Sequence, residues 1–124
     1  KTLDLGGRTT IGELAAILSR CRLFVGNDSG VMHLACAVGC PTVAIFGPSN
    51  YRAWGPWTKR GPGGSPGADD RASVVRVDLP CSPCLYAGRG VGRKNGCLDM
   101  TCLDLVTPEI VRQVAERMLC AHER

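Results

Sequence analysis

Four residues able to bind a ligand lie close together near position 30. Asp28, Ser29 and Gly30 are consecutive, and His33 follows one helical turn later. The apolar residues 23–25 predict a buried strand before them, and the small and apolar residues that follow predict a helix. A helix N-terminus carries unpaired N–H groups and a partial positive charge, which suit a phosphate.

Each of the four residues adds a distinct chemistry to that helix start. Gly30 would let an anion approach the backbone, the Ser29 hydroxyl could donate to it, and His33 lies on the same helix face as Ser29. Asp28 would repel a phosphate and is better matched by neutral hydroxyl groups. Together they predict a ligand that has both sugar hydroxyls and phosphates.

Structural roles account for the same residues equally well. Asn27, Asp28 and Ser29 are all favourable N-caps, so the turn could serve helix capping alone. His33, on an otherwise apolar helix, fits a hydrogen-bonded core histidine. The chain has neither the G-x-G-x-x-G pattern nor a P-loop, so no dinucleotide fingerprint or NTPase is indicated. Ligand binding and simple capping both stay open on these residues.

A second group of reactive side chains has the spacing C-x2-C-x12-C-x4-C and comprises Cys81, Cys84, Cys97 and Cys102. Such a group indicates disulfides in a secreted protein and a metal site in a cytosolic one. The first pair is a usual zinc half-site, whereas the second pair lacks that spacing. Arg89, Arg93 and Lys94 lie between the pairs, with no acid, and would offset the charge of four thiolates. Structural zinc, an iron–sulfur cluster, disulfides and unligated thiols are the alternatives, and none implies a catalytic role.

The composition fits one soluble globular domain. The 124 residues are 44% hydrophobic and 21% charged, and no apolar run approaches the roughly 18 residues that a membrane span needs. The net charge of +4 permits an anionic ligand without demanding a nucleic-acid partner. Because the chain begins at Lys1 without a methionine or signal region, we expect it to be part of a longer protein.

The elements around the polar turn predict an α/β fold. Thr10 and Glu13 form a capping box for an amphipathic helix over about residues 11–20. A helix over 29–38 should be buried on most sides and end at Gly39, and the apolar residues 42–46 predict a strand covered on both faces. Strand, buried helix and strand form a right-handed βαβ unit, which belongs to a parallel sheet.

The rest of the chain is dominated by glycine and proline. Residues 74–77 are the only convincing strand between positions 47 and 97, and the segment 61–67 predicts a flexible surface loop. Thr107-Pro108-Glu109 predicts the start of a C-terminal helix, whose apolar face comprises Ile110, Val111, Val114, Ala115 and Met118. The remaining cysteines are expected to pack as small hydrophobic residues, namely Cys21, Cys36, Cys40 and Cys120.

Two consecutive strings resemble the heptosyltransferase family of glycosyltransferases. Residues 26–35 read G-N-D-S-G-V-M-H-L-A and contain the family pattern D-S-G-x-M-H-L-A, and residues 39–49 follow with G-C-P-T-V-A-I-F-G-P-S. Similar features continue in Trp54-Gly55-Pro56, in Cys81-Ser82-Pro83-Cys84 and in Thr107-Pro108-Glu109. The resemblance therefore covers nearly the whole chain. Ser29 stands where some members have Thr, and the loop 61–67 departs from the usual pattern.

The resemblance implies a GT-B enzyme, in which two Rossmann-like domains face each other across a cleft. Residues 1–124 would be its C-terminal, nucleotide-sugar-binding domain, with a cysteine-containing loop at 81–102, and the acceptor domain would lie upstream. Asp28 would then bond donor-sugar hydroxyls, while Ser29, Gly30 and His33 would contact the phosphates. No catalytic residue is expected here, because the family's base and its phosphate-binding lysine would precede Lys1.

The resemblance also implies the reaction and its setting. A sugar would pass, with inversion, from a nucleoside-diphosphate sugar, expected to be ADP-heptose, to lipopolysaccharide core. No cofactor would be required for catalysis, and this portion alone would be inactive. The protein would be cytoplasmic, with peripheral contact at the inner face of the inner membrane and no nucleic-acid partner. A stand-alone nucleotide- or metal-binding module and a nucleotide-binding regulatory domain are the competing interpretations.

Overall fold

A computed structural model describes residues 1–58, 61–62, 71–85, 97 and 99–122. Its elements, in chain order, are α1 (Ile11–Leu18), β1 (Phe24–Asn27), α2 (Gly30–Ala37), β2 (Thr42–Ile45), α3 (Tyr51–Trp54), β3 (Trp57–Thr58), β4 (Gly61–Pro62), β5 (Ala72–Val75), α4 (Thr101–Asp104) and α5 (Pro108–Ala121). The alternation of helices and strands confirms the predicted α/β class.

The sheet that organises the fold has three parallel strands in the order β1-β2-β5. At its carboxyl edge, Ile45 pairs with Asn27 on one side and Val75 on the other, so the three strands end level with one another. The segments that follow β1, β2 and β5 therefore emerge along a single edge. A parallel sheet flanked by helices is Rossmann-like, as predicted.

The central strand β2 is covered on both faces, as its continuous apolar sequence predicts. On one face, Ala44 packs with Met32 of α2 and with Phe46. On the other, Val43 packs with Val75 and with Met118 of α5. Alternate side chains of one strand thus join two separate core layers, which is why β2 carries no solvated face.

The helix ends follow the predicted caps. The Glu13 amide donates to Thr10 Oγ1 at 3.3 Å and the Thr10 amide donates to the Glu13 carboxylate at 2.8 Å, which completes the capping box of α1. Gly39 terminates α2 with a positive φ of 79°, a conformation that glycine adopts without strain. At α5, Thr107 caps the Ile110 amide and Pro108 occupies the first turn.

Several predicted boundaries and burial assignments are wrong. The strand predicted at 23–25 runs over Phe24–Asn27, and the one predicted at 74–77 runs over Ala72–Val75, because sheet pairing and not local apolarity sets the ends. The helix α2 contacts α1, β1, β2 and β3, yet it is buried only at Met32 and Ala35, while Val31, His33 and Ala37 stay exposed. Ile110 is 40% exposed at the start of α5.

Short elements also occur where turns alone were expected. β3 and β4 form an antiparallel pair, so the predicted loop 61–67 begins as a strand, and its residues 63–67 lie outside the described part of the chain. The single turn α4 covers the end of the predicted cysteine loop 81–102. Cys40 is buried as expected, whereas Cys120 is exposed on α5 and does not pack. No helix among the described residues has the length and apolarity to cross a membrane.

Candidate functional site

The polar turn predicted to bind a ligand lies at the carboxyl edge of the sheet. β1 ends at Asn27, and the Asp28 amide donates to the Ile45 carbonyl at 3.1 Å, which ties the turn to the end of β2. Ser29 then has an extended backbone and is the N-cap of α2. Ligands of open α/β sheets bind at this edge, beyond the strand ends. The fold thus places the predicted residues where such a site is expected.

The four candidate residues share this helix start, and most of their surface is open. Ser29, Gly30 and His33 are exposed, and Asp28 is half-buried. A Cβ built on Gly30 would meet no other atom within 4 Å, so the space beside its backbone is free. Within the described part of the chain, no hydrogen bond engages the side chains of Asp28, Ser29 or His33. The arrangement offers a carboxylate, a hydroxyl and an imidazole that have no hydrogen-bond partner among the described residues.

The side chain of Ser29 does not cap the helix. The Ser29 carbonyl accepts hydrogen bonds from the amides of Met32, at 3.1 Å, and His33, at 3.4 Å, whereas its hydroxyl makes no capping bond. The simple capping explanation therefore does not account for the hydroxyl. Nor is His33 a core histidine, because its side chain is exposed on the outer face of α2.

A further cluster at the same edge was missed by sequence reasoning. Arg76 directly follows β5, and its guanidinium carbon lies 4.3 Å from the centre of the Tyr51 ring. Arg76 also pairs with Asp78, and Arg52 Nε donates to the Tyr51 hydroxyl at 3.2 Å. Tyr51 itself packs against the core layer that contains Met32 of α2. Only the adjacent Tyr51-Arg52 pair hinted at this cluster, because Arg76 had been assigned to a strand.

The four clustered cysteines occupy two separate segments. Cys84 is half-buried after β5, Cys102 is only 6% exposed on α4, and Cys81 and Cys97 are exposed. Burial raises the pKa of the Cys102 thiol, and the neighbouring sulfurs of Cys84, Cys97 and Cys81 raise it further. Cys84, Cys97 and Cys81 thus each lie close enough to Cys102 to act on its thiol.

Among the described residues, the cysteines form neither a disulfide nor a metal-binding group. All eight thiols of the chain are unpaired. No three His, Cys, Asp or Glu side chains in the described ranges are gathered so that they could hold a metal ion. The predicted residues Arg89, Arg93 and Lys94 lie outside the described residues.

A three-stranded parallel sheet flanked by helices, with an open strand–turn–helix at its carboxyl edge, defines a Rossmann-like unit. The profile of glycosyltransferase family 9 (heptosyltransferase) matches residues 1–89. These residues include the sheet and the polar turn. The chain therefore belongs to the heptosyltransferase family of glycosyltransferases, as its motifs predicted.

Individual proteins that are similar to this chain are also described as heptosyltransferases. The chain is 38% identical to a lipooligosaccharide heptosyltransferase 2 of Campylobacter jejuni over 68% of its length and 24% of the relative's. It is 28% identical to the enzyme of that name from Haemophilus influenzae over 94% of its length and 29% of the relative's. It is 32% identical to a lipopolysaccharide heptosyltransferase 1 of Pseudomonas aeruginosa over 94% of its length and 32% of the relative's. No solved structure matches.

The chain spans roughly a quarter to a third of the length of these curated relatives. Family membership favours the glycosyltransferase interpretation over a stand-alone nucleotide- or metal-binding module.

Proposed function

We propose that this chain is the nucleotide-sugar-binding portion of a heptosyltransferase that acts in lipopolysaccharide core synthesis. The observation that carries the proposal is the open helix start at Ser29 and Gly30, at the carboxyl edge of a parallel sheet, in a chain of this family. The donor would be a nucleoside-diphosphate sugar, with ADP-heptose expected, and the acceptor would be lipopolysaccharide core. The reaction would take place in the cytoplasm, at the inner face of the inner membrane.

Each residue of the turn has a role in this proposal. The exposed N–H groups at Gly30 and Val31, which the helix does not use, would bind the diphosphate, and the Ser29 hydroxyl would donate to the same oxygens. His33, one turn further along, would contact the diphosphate from the side. The Asp28 carboxylate would accept hydrogen bonds from the hydroxyls of the donor sugar.

The same contacts would assist the chemical step. In an inverting transfer, the acceptor oxygen forms a bond to the anomeric carbon as the bond to the diphosphate breaks and its electrons pass to the leaving group. Negative charge on the diphosphate therefore grows in the transition state. N–H groups and an imidazole directed at it would stabilise that state more than the ground state. Residues other than those of this turn would bind the acceptor and supply the general base that takes the proton of its hydroxyl group.

Sugar transfer tests the proposal directly. The complete gene product, incubated with an ADP-heptose donor and a lipopolysaccharide acceptor that lacks the terminal heptose, should yield an acceptor heavier by one heptose in mass spectrometry. Asp28→Ala and Ser29→Ala should each reduce transfer, whereas the control Ser19→Ala, at the exposed C-cap of α1, should not. Hydrolysis of the donor without acceptor modification, or equal transfer by all variants, would argue against this assignment.

A further inference from the structure

Two arginines contact one tyrosine at the carboxyl edge of the sheet. Arg52, in the segment after β2, donates from Nε to the Tyr51 hydroxyl at 3.2 Å, and its guanidinium carbon lies 5.7 Å from the centre of the Tyr51 ring. Arg76, directly after β5, lies over the same ring at 4.3 Å. Cations within about 6 Å of an aromatic ring are attracted to its face. One aromatic side chain thus joins two segments that follow different strands.

The charges of this cluster do not balance. Asp78 pairs with Arg76. The hydrogen bond to Tyr51 and, to a smaller extent, the charge of Asp78 raise the pKa of Arg52. Among the described residues, no carboxylate lies within ion-pair distance of Arg52. One carboxylate therefore faces two guanidinium groups, and the cluster keeps one positive charge.

The two guanidinium groups differ in how accessible they are to a ligand. The Arg76 side chain is only 12% exposed, and the Tyr51 ring and Asp78 both contact it. Arg52 is exposed, and its two terminal nitrogens donate no hydrogen bond within the described part of the chain. A guanidinium held at Nε presents its terminal N–H groups as a planar fork, which matches the two oxygens of a carboxylate or phosphate. Arg52 is therefore the residue that can bind an anion.

The cluster shares its edge of the sheet with the polar turn at Asp28 and Ser29. The strands β1, β2 and β5 end level, because Ile45 pairs with both Asn27 and Val75. Tyr51 packs against the core layer that contains Met32, which lies two residues after the start of α2. A substrate that extends from the polar turn along this edge would therefore reach Arg52.

We propose that Arg52 binds an anionic oxygen group of a substrate, a phosphate or a carboxylate, and that Tyr51 and Arg76 are positioning residues that hold its guanidinium. The inference rests on the proposed function, because the substrates are taken from it. Two sources can supply the group: the diphosphate of the donor and the acidic groups of the lipopolysaccharide core acceptor. In both cases Arg52 adds a contact beyond those of the polar turn.

The test is titration calorimetry of the complete gene product with two probes, ADP and a deacylated lipopolysaccharide acceptor that lacks the terminal heptose. Arg52→Gln removes the charge of an exposed side chain. The matched control is Arg117→Gln, because Arg117 is exposed on α5, which packs on the opposite face of β2 from Tyr51. We expect Arg52→Gln to bind one probe at least about 10-fold more weakly, and the control to bind both probes like the wild type. Weaker binding of ADP assigns Arg52 to the donor, and weaker binding of the acceptor alone assigns it to the acceptor.

A second measurement tests whether Tyr51 acts through Arg52. Tyr51→Phe removes the hydroxyl to which Arg52 donates, and it keeps the ring that packs in the core and contacts Arg76. This variant should weaken binding of the same probe by less than Arg52→Gln does. The double variant should bind no more weakly than Arg52→Gln alone, because the hydroxyl then has no guanidinium to hold. Strictly additive losses would remove the positioning role of Tyr51.

The outcomes separate this inference from the proposed function. Equal affinities of the wild type and Arg52→Gln for both probes, or an equal loss in Arg117→Gln, would overturn the inference. If the wild type transfers heptose while Arg52→Gln binds both probes normally, the proposed function stands without it. If no heptose is transferred but ADP binding still depends on Arg52, the proposed function fails and the anion-binding role of Arg52 stands. A wild type that binds neither probe would contradict both.

Discussion

The proposed phosphate binding requires glycine at position 30, whereas the fold does not. It is the first residue of α2, its φ is not positive, and an added Cβ would meet no atom within 4 Å. The fold therefore does not need glycine here. Replacing glycine with alanine in a helix stabilises it by roughly 0.5–1 kcal/mol, and the effect at a first position lies at or below the lower end. Gly30→Ala should leave the free energy of unfolding unchanged or slightly raised.

Binding should respond in the opposite direction. The added methyl group would occupy the open space through which a phosphate reaches the backbone N–H groups. Loss of one charge-assisted hydrogen bond costs about 1.5–3 kcal/mol of binding free energy. This cost raises the dissociation constant for ADP roughly 10- to 150-fold. Gly30→Val, with a larger side chain, should weaken binding further. The measurement is titration calorimetry of the complete gene product with ADP, beside urea unfolding.

Gly12 provides the matched control. It lies in the first turn of α1, is exposed, and also has no atom within 4 Å of a built Cβ. Gly12→Ala should change stability in the same direction as Gly30→Ala and leave the affinity for ADP unchanged. If Gly30→Ala bound ADP as tightly as the wild type, the close approach of a phosphate to this backbone would be refuted.

Three further predictions concern the site and the elements around it. His33→Ala should weaken ADP binding in calorimetry, whereas His122→Ala at the end of α5 should not, and equal affinities would remove His33 from the site. Gly47→Ala should destabilise by about 1–3 kcal/mol in urea unfolding because Leu103 must move, and adding Leu103→Ala should recover part of that loss; a strictly additive double variant would contradict the contact. Hydrogen bonds from Thr10 lower the pKa of Glu13, so its stabilising effect should be present above the usual value of 4.5 and be lost as pH falls through the folded-state pKa; Glu13→Gln should flatten that part of a pH series of unfolding curves, and an unchanged profile would exclude the effect.

Sequence patterns predicted the elements whose signals are local. The capping box of α1, the glycine stop of α2 and the proline start of α5 all depend on residues within one turn of each helix end. The continuous apolar sequence of β2 reflects its burial on both faces, so the strand and its burial could also be predicted. For the same reason, the apolar run of β1 and the small residues of α2 were enough to predict that the polar turn between them lies at a sheet edge.

Features that depend on distant pairing were not predictable from local patterns. β5 begins at Ala72, two positions before the apolar run suggested, because its register is set by pairing with Thr42 of β2. The stacking of Arg76 on Tyr51 joins residues from separate segments. Likewise, which residues of α2 are exposed depends on how α1, β1, β2 and β3 pack against it, and its own sequence does not encode that packing.

The most direct test of the donor-site proposal is a crystal structure of the complete gene product with a bound nucleoside diphosphate. The proposal predicts phosphate oxygens within about 2.7–3.2 Å of the backbone nitrogens at Gly30 and Val31, with Ser29 Oγ and the His33 imidazole in contact with the same diphosphate. A diphosphate bound elsewhere, with the start of α2 in contact with solvent alone, would contradict it.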